Sequence, residues 1–224
     1  VPNNNAQRTL ILGRAGTEEP VLFTVREDFS LGSSSNAWGP VNVNADWNVL
    51  VANGKTLNVY GALNSSGRTI TVGGEGFSGT LVLNNAANAS MTAEWVITSG
   101  STVRCMNNSA LGSGLVTLDG GTLDFNSQTI GSTITLNMSG TGTLQNVTVD
   151  GAILSYTSSS GNDGITASNT TWTSGKIDIG RLLQGFSAEG SNTVDLGAEL
   201  GEGFSVLGLD TGQYRIEGSV LTIE

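Results

Sequence analysis

The sequence predicts an all-β protein built from stacked short strands, with a β-solenoid preferred over an antiparallel β-sandwich or barrel. Three observations carry this. Apolar residues alternate with Thr, Asn and Ser in runs of a few residues, the pattern of half-buried strands. Gly-containing pairs break these runs, supplying the positive φ that tight turns need. Three stretches share one plan: "SGTLVLNNA" (78–86), "GSGLVTLDGGTLDF" (112–125) and "GTGTLQNVTVDGAIL" (140–154). Each is too small to bury its apolar face alone, whereas stacked neighbours bury one continuous core.

Taken in order, residues 1–50 read as an N-terminal cap. "NNNAQRTLILGRAGTEEPVLFTVREDFS" (3–30) mixes charges with two apolar runs, and Trp38 and Trp47 would plug the open end of a stack. An exposed aromatic pair would instead grip sugars by stacking. Residues 51–180 read as the solenoid. Its strands are "TLNVY" (56–60), "TITV" (69–72), "TLVL" (80–83), "LVTL" (115–118), "TLDF" (122–125), "STITLNM" (132–138), "TLQNVTVD" (143–150) and "AILSY" (152–156). Turns are expected at Asn53-Gly54, Ser66-Gly67, Gly73-Gly74, Asp119-Gly120, Ser139-Gly140 and Asp150-Gly151. Helix is confined to a corner at "NSALG" (108–112) and one turn at "GRLLQGF" (180–186). Residues 181–224 read as C-terminal capping strands that end in a hairpin, the whole chain making one continuous domain.

Composition narrows the chemistry. The net charge is −10 and the only lysines are Lys55 and Lys176. Nucleic-acid binding needs a basic face and is not expected. No apolar run approaches the roughly 18 residues of a membrane-spanning helix. Histidine is absent and Cys105 is the single cysteine, which excludes Ser-His-Asp and Cys-His catalysis, His- or thiolate-based zinc sites and an internal disulfide. Cys105 reads as a small buried residue. No cofactor is expected. "GGEGFSG" (73–79) lacks the liganding Asp of a calcium-binding glycine repeat, and "GNDG" (161–164) reads as a plain turn. The Asn-x-Ser/Thr triplets at Asn64, Asn88, Asn107, Asn137, Asn146 and Asn169 match chance in so Asn-, Ser- and Thr-rich a chain.

Acid–base chemistry would therefore fall to carboxylates. "VLGLDTGQY" (206–214) places Asp210 in the Asp-Thr-Gly triplet of aspartic proteases. Composition alone yields such a triplet about 0.3 times in a chain of this kind. Gln213 follows it, no second triplet exists, and the remaining residues read as a hairpin, so Asp210 reads as a corner. Asp119 and Asp150 each precede Gly after a strand. If coils brought carboxylates together, Asp119 or Asp150 would be the partner of a catalytic Asp210, since stacked like charges raise one pKa. Asp124 and Asp178 alternate within strands, and Arg104, Arg181 and Arg215 are their possible ion-pair partners.

"SALGSGLVTLDGGTLDF" (109–125), preceded by "ITSGSTV" (97–103), resembles the autotransporter-associated β-strand repeat of exported bacterial surface proteins. Ser109, Ala110, Leu111, Gly112, Gly114, Val116, Leu118, Gly120, Gly121, Thr122 and Leu123 follow its pattern. "GKTLNVYGALNSSG" (54–67) resembles its Gly-x-Thr-Leu segment, so the likeness covers about residues 50–130. The resemblance implies a right-handed parallel β-helix, secreted or displayed on the bacterial surface. It implies no single activity, because the repeat is a scaffold; the expected role is structural or adhesive, toward host or matrix glycans or proteins. The competing expectation is a secreted carboxylate-dependent hydrolase, either an aspartic-type peptidase or a glycan-cleaving β-helix.

Overall fold

A computed structural model describes residues 9–14, 19–35, 39–85, 87–98, 100–137, 141–155, 166–178, 192–195, 199–200 and 202–223. The expected turn at Ser139-Gly140, the helical turn at 180–186, "GNDG" (161–164), Trp38 and Arg181 lie outside these residues. The described chain is an all-β parallel solenoid. Its first coil carries β1 (Leu10–Leu12), β2 (Val21–Val25) and β3 (Phe29–Leu31), and the second β4 (Val41–Val43), β5 (Trp47–Val51) and β6 (Thr56–Val59). The following coils are built from β7 (Leu63–Val72), β8 (Thr80–Leu83), β9 (Thr92–Thr98), β10 (Thr102–Cys105), β11 (Gly114–Asp119), β12 (Thr122–Ile130), β13 (Ile134–Asn137), β14 (Thr143–Ser155) and β15 (Thr166–Asp178). Last come β16 (Asn192–Asp195), β17 (Gly203–Val206), β18 (Tyr214–Glu217) and β19 (Val220–Ile223). Helical structure among the described residues is one 3₁₀ turn, Ala87–Ser90, and "NSALG" is a hydrogen-bonded corner.

Strands pair with the coil before and the coil after, always in parallel, giving three faces. The second face carries one interior column through eight rungs: Trp47, Ile70, Trp95, Val116, Leu136, Leu154, Ile177 and Val206. The third carries Leu57, Leu81, Val103, Leu123 and Leu144. All of these side chains are buried, and each contributes about 1.5–3 kcal/mol of burial free energy. Period-two alternation arises because one side of each rung faces this column and the other faces solvent.

The repeated Gly-Thr-Leu has a separate cause. Thr56, Thr80, Thr102, Thr122, Thr143 and Thr166 hold one register position on successive third-face rungs. The backbone N–H of each from Thr80 onward donates to the residue before the previous threonine, at 2.8–3.1 Å. A Cβ on Gly121 would sit 2.5 Å from the Ile97 carbonyl oxygen, so the coils meet too closely there for any side chain.

Two expectations change. Strands β1 to β5, in the segment read as the 1–50 cap, form parallel rungs of the stack itself: β1 pairs β4, β2 pairs β5 and β3 pairs β6. Trp47 is wholly buried in the second-face column with Phe23 edge-on at 6.2 Å, so it neither plugs an end nor offers a face to sugars. Ser66-Gly67 and Asp150-Gly151 are not turns between strands. They are bends inside β7 and β14, where Gly67 (φ 62°) and Gly151 (φ 93°) carry the chain from the first face to the second. At the C-terminal end, β16, β19 and β18 form an antiparallel sheet, and Leu221 is buried in the same core cluster as the columns.

The first face has a gap. Strands stack there as Leu10, Val41 and Leu63, and resume as Ile130, Val149 and Trp172. In between, the amide of Asn88 stands in for a rung. Its Oδ1 accepts from the Leu63 N–H at 2.7 Å, and its Nδ2 donates to the Ala110 carbonyl at 2.7 Å. One side chain thus joins the coil below to the coil above and satisfies backbone groups that a missing strand would leave unpaired. Asn88 is buried, so its glycosylation triplet is inaccessible.

Candidate binding groove

The three carboxylates considered for catalysis lie apart. Asp150 lies three residues before Ile153, which is level with Thr135 and, one rung further, with Leu115. It thus sits at the bend where the second face begins, whereas Asp119 ends β11 at the far end of that face, on the order of 15 Å further along the strand direction. Asp119 ends β11 and Asp210 follows β17, with β13, β14 and β15 stacked between, so about 19 Å of stacking separates their coils. A proton-sharing pair needs separations of about 3 Å. Asp150 instead accepts a hydrogen bond from Ser174 Oγ at 2.5 Å, across adjacent coils. Asp210 is exposed on a turn. Its backbone N–H donates to Gln213 Oε1 at 2.7 Å, and the Gln213 N–H donates back to the Asp210 carbonyl at 3.0 Å. Asp210 stands at a corner, as expected, and the side-chain bond that closes the turn comes from Gln213.

Among the described residues Asp124 is the one buried carboxylate. It accepts from Arg104 Nε at 2.9 Å, the Asn126 N–H at 2.9 Å and Asn146 Nδ2 at 3.0 Å. Asn146 Oδ1 in turn accepts from Asn169 Nδ2 at 2.9 Å, continuing the ladder one coil on. Asn126, Asn146 and Asn169 all have positive φ, which asparagine tolerates better than most residues. Burial pushes the Asp124 carboxyl up, but the hydrogen bonds from Asn146, Asn126 and Arg104 and the guanidinium charge outweigh it and hold the group below its ordinary range. This ladder pins a corner of the solenoid. Arg215, the other described candidate, pairs with Glu217 at 3.1 Å. Cys105 sits level with Leu83 in the interior; burial, with a smaller push from the Asp124 charge, raises its thiol far above the usual range. "GGEGFSG" forms a tight turn closed between Gly74 and Phe77, with Ser101 Oγ donating to the Phe77 carbonyl at 2.9 Å.

A concavity lies on the first face, at the edge of its gap. It is an open groove of about 420 Å³, within the range of small-ligand sites. Asn42 and Asn44 line it from the second coil, Asn64, Ser66 and Arg68 from β7, and Ser90 from the end of the 3₁₀ turn. Asn64 Nδ2 donates to Asn42 Oδ1 at 3.0 Å, fixing two amides side by side on adjacent rungs. Ser65 Oγ, in the groove wall, is buried without a hydrogen-bond partner. A register shift between Ser66 and Arg68, at the Gly67 bend, sets Arg68 at the groove. Arg68 makes no ion pair among the described residues, and no carboxylate lines the groove. The lining therefore offers amide donors and acceptors, hydroxyls and one guanidinium, in a chain with 19 acidic residues against 9 basic.

None of these residues stood out in the sequence as a site. Asn64 was singled out only as a glycosylation triplet and Ser66-Gly67 only as a turn. The available signal was "NSSGR" (64–68), a polar run broken by Gly inside an otherwise alternating strand.

No family model, curated protein or solved structure matches the chain. Among the described residues no helix is long and apolar enough to cross a membrane.

Proposed function

We propose that this protein is an exported bacterial surface scaffold of the autotransporter-associated repeat kind, with an adhesive role toward glycans. The first-face groove supports this reading most directly. Its Asn and Ser groups match the hydroxyls of a sugar chain, and its walls belong to stacked rungs. Such a site loses little freedom on binding, which favours affinity from few contacts. A solenoid also repeats its outer faces along one axis, which suits contact with an extended polymer.

The test is a glycan array and immobilised mucin, read alongside a turnover screen on casein, mucin and common polysaccharides from about pH 3 to 8. Saturable binding without product formation is the expected result. Product formation, lost on substitution of a carboxylate, would replace the adhesive reading with a hydrolytic one. An array with no binding at all would remove the glycan reading.

A further inference from the structure

We infer that the first-face groove recognises an acidic saccharide, with a sugar carboxylate seated on Arg68 and sugar hydroxyls held by Asn42, Asn64 and Ser90. This rests on the glycan reading above and adds the ligand's charge. The observation behind it is a local reversal of sign. The chain carries −10 overall, yet the groove lining contains a guanidinium and no carboxylate, and the neighbouring Asp46 carboxylate is engaged by the Thr69 N–H at 3.0 Å. Arg104 and Arg215 are both paired with acids, whereas Arg68, like Arg26 and Lys176, makes no ion pair among the described residues, and of these three only Arg68 lines the groove. A planar guanidinium binds a carboxylate through two parallel N–H···O bonds, a geometry that hydroxyls do not match. The negative field of the rest of the molecule repels anions in general. It is screened beyond about 8 Å at physiological salt, so an anion is retained only where local groups favour it.

The paired amides fix the orientation. Asn64 Nδ2 is engaged with Asn42 Oδ1, which leaves Asn42 Nδ2 to donate and Asn64 Oδ1 to accept. Neighbouring hydroxyls on one sugar ring offer that same combination of acceptor and donor. Ser90 also lines the groove and can take a further hydroxyl.

The experiment compares a trisaccharide of uronic acid with its methyl ester, which keeps every hydroxyl and removes the charge. Titration calorimetry on the purified protein is expected to show the acid binding at least about tenfold more tightly than the ester. Arg68→Gln should abolish that preference, bringing the acid down to the affinity of the ester. Arg68→Lys should restore only part of it, because an ammonium is a point charge. Asn64→Ala should weaken both ligands alike, and Arg215→Gln should change neither. Melting temperatures establish that each variant is folded. Equal affinity of acid and ester would overturn the inference while leaving the glycan reading intact. Tight acid binding that survives Arg68→Gln would overturn it too, by placing the anion elsewhere. Binding of neither ligand, with a blank array, would remove the glycan reading itself.

Discussion

Replacing Asn88 by alanine tests whether a single amide really serves as a rung. The substitution removes two buried hydrogen bonds at once, orphaning the Leu63 N–H and the Ala110 carbonyl. Leu63 and Ala110 are both buried, so water does not reach these groups without local opening. Each orphaned backbone group costs about 1–3 kcal/mol, giving about 2–6 kcal/mol for the pair. In a domain of this size each kcal/mol lowers the melting temperature by about 2–4 °C, so a fall of between about 4 and 24 °C is expected. Thermal unfolding followed by circular dichroism in the strand band reads it directly. A midpoint within about 1 °C of the parent would refute the reasoning, since it would mean the two backbone groups find other partners without loss.

Asn88→Asp sharpens the test. An ionised aspartate still accepts from Leu63 but sets a negative charge against the Ala110 carbonyl. A protonated one donates to that carbonyl as the amide does. Burial raises such a carboxyl's folded pKa above its unfolded value near about 3.9. The stabilisation it contributes is then present at low pH and lost as pH rises through the folded pKa. The gap between Asn88→Asp and the parent should therefore narrow as pH falls toward about 4, whereas the gap for Asn88→Ala should stay constant.

Three further outcomes follow from the other buried and corner residues. Cys105 should resist thiol reagents in the folded protein and react stoichiometrically in denaturant, because burial keeps the thiol protonated; labelling of the native protein within minutes would contradict its place in the core. The pKa of Asp124 is depressed, so its stabilisation is present above the unfolded carboxylate pKa and lost as pH falls through the folded value. Stability should decline below about pH 4, and Asp124→Asn should flatten that decline while lowering stability at neutral pH; an unchanged acid limb would refute the assignment. Asp210→Ala should leave stability within about 0.5 kcal/mol and any measured activity within a few-fold, whereas Gln213→Ala should cost about 0.5–1.5 kcal/mol because it removes the side-chain bond that closes the turn. A loss of activity confined to Asp210→Ala would refute the corner assignment.

The parts of the fold legible in the sequence are those where one physical requirement repeats at one position. Gly-Thr-Leu recurs because the corner has no room for a Cβ, the next residue continues a backbone ladder and the third faces the core. Residues 41–51 meet the same core requirement, with buried and half-buried positions alternating throughout. They carry no Gly-Thr-Leu, so the repeat is not visible there and the segment reads as a cap. Asp150-Gly151 misleads in the opposite direction. Its Gly takes the positive φ of a turn, yet β14 continues pairing with β15 on both sides of it. Local conformation is the same in a bend and in a hairpin turn, and only the pairing partner tells them apart.

The groove was illegible for a related reason. A repeat pattern reports the average coil, while a binding site needs a place where coils differ. Here the difference is made by residues whose types are common all along the chain. Asn88 is one asparagine among many, distinguished by the two backbone groups on either side of it. Arg68 is set at the groove by a one-residue register shift at Gly67. Neither has a spacing that a sequence shows by itself. The Asn88 amide holds the short turn that ends at Ser90, which lines the groove together with Asn42 and Asn64. The device that keeps the stack continuous across a missing strand is therefore also what leaves a polar recess beside it. In this solenoid the interior columns fix how coils stack, and the interruption of one face decides where the polar groove lies.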